Sequence, residues 1–210
     1  MKEEKVHNHP TVSLIQSTPK PIEFISKIAS ICYDSTPKSS LSLVNHLYKN
    51  GHHSVFEHVY FTFKIEGISR ACSHQLVRHR MATFTQRSQR YCSEDDFFPV
   101  LAKALDNDKD VMSCLNTIKE CYTKLRDKGV ANEDARYILP NACDTQIIMS
   151  LNLRELMHLA NERLCVRAQT EIRELVAEMC KQVDPELQFM LVPKCKSGIY
   201  ICPTLCENKE

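Results

Sequence analysis

The sequence predicts an α+β fold, a single mixed domain with a small sheet and several packed helices. Apolar residues recur at helical spacing in several separate segments, and short β-branched or aromatic runs lie between them. No glycine-rich turn joins a strand to a helix. At 210 residues the chain is long enough to bury about 70% of its unfolded surface without disulfide or metal staples.

The elements follow in order. Val12, Leu14 and Ile15 mark a short strand over 12–16. Pro21 at a first helical position precedes Phe24, Ile25, Ile28 and Ile31, predicting a helix to about Tyr33. Ser40 caps a second helix containing Leu41, Leu43, Val44 and Leu47 and ending at Gly51. Residues 59–65 are β-branched and aromatic and read as a strand. Gly67 punctuates, and 68–77 reads as a helix with Ile68, Ala71, Cys72 and Leu76 on one side. Periodicity is lost over 78–93, which reads as a structured loop with short extended pieces. A helix over 110–128 closes at Gly129, and a short one over 132–137 stops before Pro140. A strand over 147–151 and helices over about 152–166 and 168–182 follow, then a short helix opened by Pro185. Residues 192–210 read as an irregular, Cys-containing tail. No repeat or low-complexity linker divides the chain, so residues 1–210 are expected to form one domain.

Composition removes several function classes. A net charge of +1 gives no global attraction to nucleic acid or to an anionic membrane, so any anion must be recognised locally. No apolar run approaches a membrane span, and the charged start of the chain lacks the apolar core of a secretory signal. Eleven cysteines, an odd number scattered through helical and strand-like segments, fit a reduced cytoplasmic setting better than a disulfide framework. Cys72, Cys165 and Cys180 fall on or near apolar faces and read as core. Cys195, Cys202 and Cys206 lack zinc-ligand spacing, so no metal is expected there. Only four glycines occur, at Gly51, Gly67, Gly129 and Gly198, which excludes a Gly-rich dinucleotide fingerprint and a phosphate loop.

The chemistry concentrates between Glu66 and Glu94. This interval holds no acid and no lysine, but it holds Arg70, Arg78, Arg80, Arg87 and Arg90 with His74 and His79. Arginine grips phosphate through a planar fork and stacks on flat rings. Thr83, Thr85, Gln86, Ser88, Gln89 and Tyr91 add groups that read the edge of a polar heterocycle. Two readings stand on these residues: an anionic small-ligand site, or a basic surface facing nucleic acid or solvent.

Arg78-His79-Arg80, with Ser88-Gln89-Arg90-Tyr91 after it and Gln75 before it, resembles the signature of the flavin-dependent thymidylate synthase family. Gly51-His52, Phe56-Glu57-His58, Ala135-Arg136 with Leu139-Pro140, and Arg163 followed by Ala168-Gln169 and Glu171-Ile172 are similar too. The resemblance spans about residues 40–190. Thr83, Thr85, Gln86 and Glu162 depart from the residues common in the family, and Thr85 and Gln86 alter hydrogen-bonding capacity.

The resemblance implies reductive methylation of dUMP to dTMP. Carbon comes from 5,10-methylenetetrahydrofolate and hydride from reduced FAD recharged by NADPH, in a homotetramer with active sites at subunit interfaces. It implies a dUMP site lined by Gln75, Leu76, Val77, Arg78, Gln86, Arg87, Ser88, Gln89, Arg90, Arg136 and Arg163. Of these, Arg90 and Arg136 take the phosphate, with Ser88 assisting as a binding group rather than a nucleophile. Arg163 maps to the arginine that stabilises charge on the pyrimidine and is the catalytic residue. FAD contacts map to Ser54, Arg78, His79, Arg80, Gln86, Asn152, Arg154 and His158, and His52 lies on the folate side. Arg154, His158 and Asn161 share one helical face, and Asn152 and Arg163 share another. That spacing predicts a sandwiched helix whose faces serve different parts of a ligand assembly or different subunits. Two rival readings remain, a nucleic-acid-binding module and a catalytically silent relative of the synthases.

Overall fold

The structure, a computed structural model, describes residues 10–32, 34 and 37–197. Its frame is a four-stranded sheet of β1 (Thr11–Ser17), β2 (Tyr60–Ser69), β3 (Ala82–Gln86) and β4 (Asp144–Asn152), in the order β1-β2-β4-β3. Every neighbouring pair is antiparallel. Phe61, Phe63 and Ile65 face Leu151, Met149 and Ile147 in register, and all six side chains are buried. The period of two puts the alternate residues on the opposite face, where Tyr60, Thr83, Thr85 and Gln146 are exposed. There the Thr62 and Ser150 hydroxyls bond at 2.9 Å. The fold is thus the expected α+β type.

β2 runs further than its sequence pattern predicts. Gly67, at φ +69°, takes the extra residue of a bulge between Glu66 and Ile68, and pairing resumes to Ser69. The next helix, α3 (Arg70–Leu76), therefore starts at Arg70 rather than Ile68, with the Ser69 side chain capping Cys72 N–H at 2.9 Å. β4 is likewise longer than 147–151. β3 is an edge strand inside the stretch that reads as a loop with extended pieces.

The remaining helices are α1 (Pro21–Ile31), α2 (Ser40–Lys49), α4 (Lys109–Asp127), α5 (Asn132–Ala135), α6 (Leu153–Arg163) and α7 (Thr170–Gln182). Ser39, one residue before the predicted cap, receives Ser42 N–H and starts α2. Gly51 and Gly129, both at positive φ, follow α2 and α4 as expected of residues beyond a helix end. α6 stops at Arg163, three residues short of the predicted end, and is capped by Asn152 Oδ1 on Glu155 N–H at 2.9 Å. The segment predicted as an irregular tail begins with a 3-10 turn at Lys194–Lys196; Cys202 and Cys206 lie outside the described residues.

One apolar core joins the inner sheet face to α1, α2, α3, α6 and α7, with Phe56, Leu153, Leu156, Leu175 and Met179 fully buried. Each such side chain contributes about 1.5–3 kcal/mol by leaving water. Glu171, in the first turn of α7, accepts Ser69 N–H at 2.6 Å and Ser69 Oγ–H at 2.7 Å, pinning α7 to the junction of β2 and α3. Cys72 and Cys180 lie in this core, whereas Cys165 is only half-buried. Among the described residues no helix is long and apolar enough to cross a membrane.

Candidate active site

β3 divides the arginine-rich segment into two groups. Arg78, His79 and Arg80 lie in the turn before the strand, and Ser88, Gln89 and Arg90 lie beyond its other end. At about 3.3 Å per residue, the strand holds the groups roughly 13 Å or more apart.

The first group is built around His79, which is 6% exposed although Arg78 and Arg80 on either side are exposed. α6 supplies its surroundings. Arg163 Nε donates to His79 Nε2 at 3.1 Å, Glu155 Oε1 lies 3.4 Å from His79 Nδ1, and the His158 ring stands edge-on with centroids 5.5 Å apart. Burial, reinforced by Arg163 and His158 and opposed by Glu162, pushes His79 down to about 4. The ring is therefore neutral at pH 7. Because Nε2 accepts from Arg163, the network assigns its proton to Nδ1, facing Glu155. That contact is within ion-pair reach but is not aligned as a hydrogen bond, so Nδ1 is buried without a hydrogen-bond partner. Burial raises the Glu155 carboxyl, with His158 acting the other way.

The ligand atoms of His79, Glu155 and His158 lie within 4.8 Å of one another, close enough to share a metal ion. Arg163, however, already uses His79 Nε2 and fixes a positive charge beside it, so the set favours a polar or anionic ligand over a cation. The two predicted faces of α6 are not kept apart. His158 from one and Arg163 from the other both meet His79, because the long Arg163 side chain leaves the last turn of the helix.

The second group gathers at Glu133. Arg90 Nε and Nη2 donate to Glu133 Oε2 at 2.9 and 2.7 Å, and Arg136 Nε donates to the Glu133 carbonyl at 3.2 Å. Ser88 Oγ accepts Arg90 N–H at 3.2 Å, and the Ser88 carbonyl accepts from Cys92 at 2.9 Å, closing the turn that presents Arg90. Gln89, Arg136 and Tyr137 line an open depression of about 230 Å³. Tyr137 is 84% exposed there, and Tyr91, 79% exposed, lies under the Arg90 guanidinium, whose central carbon is 5.5 Å from the ring centroid. Glu133 is itself exposed, so a phosphate can take its place on Arg90.

The other predicted residues divide between ligand-facing and structural positions. Arg87 spends its guanidinium on Glu94 Oε1 at 3.1 Å and the Ser93 carbonyl at 2.9 Å, which braces the loop after β3. Burial raises the Glu94 carboxyl, with the Arg87 hydrogen bond and charge pulling it back. Gln86 Nε2 bridges Ser73 Oγ at 3.0 Å and Thr145 Oγ1 at 3.2 Å, tying β3 to α3 and β4. Gln75 bonds to Gln169, Leu76 is fully buried, and Val77 is exposed. Asn152 uses its side-chain oxygen as a helix cap. Arg154 pairs with Glu57 of the 3-10 turn His53–His58, drawing Ser54's turn towards α6; His52, just before that turn, is exposed.

Sequence reasoning misses the acids that organise these cations, namely Glu57, Glu94, Glu133 and Glu155. For Glu155 a signal exists, since Asn152 followed three residues on by a glutamate is capping-box spacing. That spacing predicts a carboxylate turned back to the helix start, whereas it faces His79.

Fold and site together define an α+β protein that carries exposed arginines at both ends of one edge strand, a set whose chemistry suits a polar, anionic ligand. A family profile described as thymidylate synthase complementing protein matches residues 13–187. The flavin-dependent thymidylate synthase of Geobacter sulfurreducens is 41% identical over 206 residues, covering 89% of either chain. That of Pyrococcus furiosus is 39% identical, covering 91% of this chain and 88% of its own. The chain belongs to the flavin-dependent thymidylate synthase family. Among solved structures, thymidylate synthase X of Helicobacter pylori with FAD and dUMP is similar at a TM-score of 0.77 and 23% identity, over 89% of this chain and 99% of that one. The UMP/dUMP methylase PolB of Streptomyces cacaoi, bound with 5-Br dUMP, is similar at a TM-score of 0.74 and 23% identity, over 87% of this chain and 94% of its own. At that identity the likeness is one of fold.

Proposed function

We propose that this chain is a flavin-dependent thymidylate synthase, converting dUMP to dTMP with 5,10-methylenetetrahydrofolate as carbon donor and NADPH as reductant. The observation that carries the reading is the pair of arginine groups at the two ends of β3, in a chain whose family membership is established along most of its length. Arg90, Arg136 and Ser88 bind the substrate phosphate, which displaces Glu133 from Arg90. Gln75, Gln89 and the backbone at Leu76 and Val77 line the nucleotide, with Gln86 and Arg87 holding those walls in place. Arg163 stands at the pyrimidine, where its fixed charge stabilises negative charge on the ring as it is activated. No enzyme nucleophile is needed, and Ser88 has no base beside it in the described contacts.

The exposed Arg78 and Arg80, with His79 between them, and Ser54, Asn152, Arg154 and His158 around the start of α6 fit an anionic, heteroaromatic cofactor, FAD. Bound FAD, once reduced by NADPH, would supply the hydride for the reductive methylation. His52 lies on the folate side. The distance along β3 between phosphate-binding and ring-binding residues supports a site shared between copies of the chain, in a homotetramer. A depression of about 290 Å³ on the exposed sheet face, lined in part by Lys64, Thr85 and Gln146, is available to such a neighbour. The nine described cysteines are free thiols, which supports work in the reducing cytoplasm.

The test begins with colour. The purified protein is expected to carry or take up FAD, seen as flavin absorbance, and to release tritium from labelled dUMP only when folate and reductant are present. A colourless protein that takes up no FAD and binds oligonucleotides in a salt-sensitive way overturns the reading.

A further inference from the structure

Glu155 has no part in the function described so far, and its position gives it one; the inference rests on the reading of Arg163 as the charge at the pyrimidine. Glu155 is 8% exposed, in the first turn of α6. Its Oε1 faces His79 Nδ1 at 3.4 Å, while His79 Nε2 accepts from Arg163 Nε at 3.1 Å on the other side of the ring. The ionisable side chains that face His79 are Arg163, His158 and Glu155, and Arg163, His158 and Glu162 bear on its charge. We propose that Glu155 is a positioning residue that keeps the His79 proton on Nδ1, so that Nε2 remains an acceptor and orients the Arg163 guanidinium.

The physical case is one of tautomers. A neutral imidazole has one N–H, and its other nitrogen accepts. With the proton on Nε2, two N–H groups would meet head-on and Arg163 would lose its anchor. A carboxylate opposite Nδ1 selects the other tautomer, as acids behind ligating histidines do. The 3.4 Å approach is within a few tenths of an ångström of hydrogen-bond length. Acting through a neutral ring also leaves the Arg163 charge unspent, whereas a carboxylate placed directly on Arg163 would form an ion pair and compete with the charge developing on substrate. The bond to His79 uses Nε alone, and no bond within the described residues takes the two terminal nitrogens of Arg163.

The test reads the tautomer directly, by ¹⁵N NMR of the His79 ring in the full chain without ligands, assigned with His79→Gln. The wild-type ring is expected to be neutral with Nδ1 protonated and Nε2 bare. Glu155→Gln keeps that state, because its amide oxygen can stand opposite Nδ1–H as the carboxylate oxygen does, and Glu155→Leu loses it. In turnover, Glu155→Leu lowers kcat by about tenfold or more with KM for dUMP changed less than about threefold, and Glu155→Gln recovers most of the loss. In a His79→Gln background, where an amide oxygen can stand in for Nε2, Glu155→Leu has a much smaller effect than in wild type. A wild-type ring protonated on Nε2 overturns the proposal without needing any variant to fold. So does a folded Glu155→Leu that keeps the wild-type tautomer and kcat. A wild-type protein that shows the expected tautomer but binds no flavin and makes no dTMP refutes the proposed function instead.

Discussion

At the scale of single residues, the site places fixed charges beside a ring kept neutral. His79 illustrates the cost of that arrangement. Its folded value of about 4 lies below the ordinary 6.5, so between those values the unfolded chain binds the proton more readily. The stabilising contribution is fully present above about pH 6.5 and is lost as pH falls towards 4. Denaturant titrations are expected to show unfolding free energy dropping across that window, with a shallower drop in His79→Gln. An unchanged pH profile in the variant would place the transition on other groups. In the proposed function Arg163 is the opposite case, a permanent charge at the pyrimidine. Arg163→Ala is expected to keep its bound flavin while dTMP formation falls by about a hundredfold or more, the usual effect of removing one preorganised donor at a developing anion. Loss of flavin together with activity would assign Arg163 to the cofactor instead.

At the scale of elements, the junction of β2, α3 and α7 holds the site in shape. Ser69 caps α3 and gives both its N–H and its hydroxyl to Glu171. Ser69→Ala removes a cap and one charged hydrogen bond, which together are worth about 2–3 kcal/mol. A matching fall in urea midpoint is expected with an unchanged slope, and a variant as stable as wild type would show that the junction is held elsewhere.

This region also shows what the sequence can and cannot tell. The inner strands are readable, because alternation at Phe61, Phe63 and Ile65 reports a half-buried sheet directly. The continuation past Gly67 is not, because a bulge absorbs one residue and breaks the alternation that would have revealed it. β3 is an edge strand with exposed threonines, so its apolar signal reduces to Ala82 and Phe84. The site divides in the same way. Its cations are legible from the acid-free run and its family resemblance, while Glu133 meets Arg90, and Glu155 meets His79, across sequence separations that no local pattern reports.

For the whole molecule, the proposed function implies a site assembled from more than one copy of this fold. Arg163 meets His79 before one end of β3 and Arg90 lies beyond the other, so in a shared site two inactive variants carrying Arg90→Ala and Arg163→Ala are expected to complement each other when unfolded and reassembled together. Random mixing leaves about a quarter of such shared sites with both arginines intact. A mixture no more active than its parents would put both residues in a site made by one chain. The central claim meets its most direct test in the wild-type protein incubated with FAD, NADPH, 5,10-methylenetetrahydrofolate and labelled dUMP. The account predicts that tritium release and dTMP appear together and that both stop when NADPH or 5,10-methylenetetrahydrofolate is left out or the bound flavin is stripped. A folded, flavin-loaded protein that produces neither would contradict it.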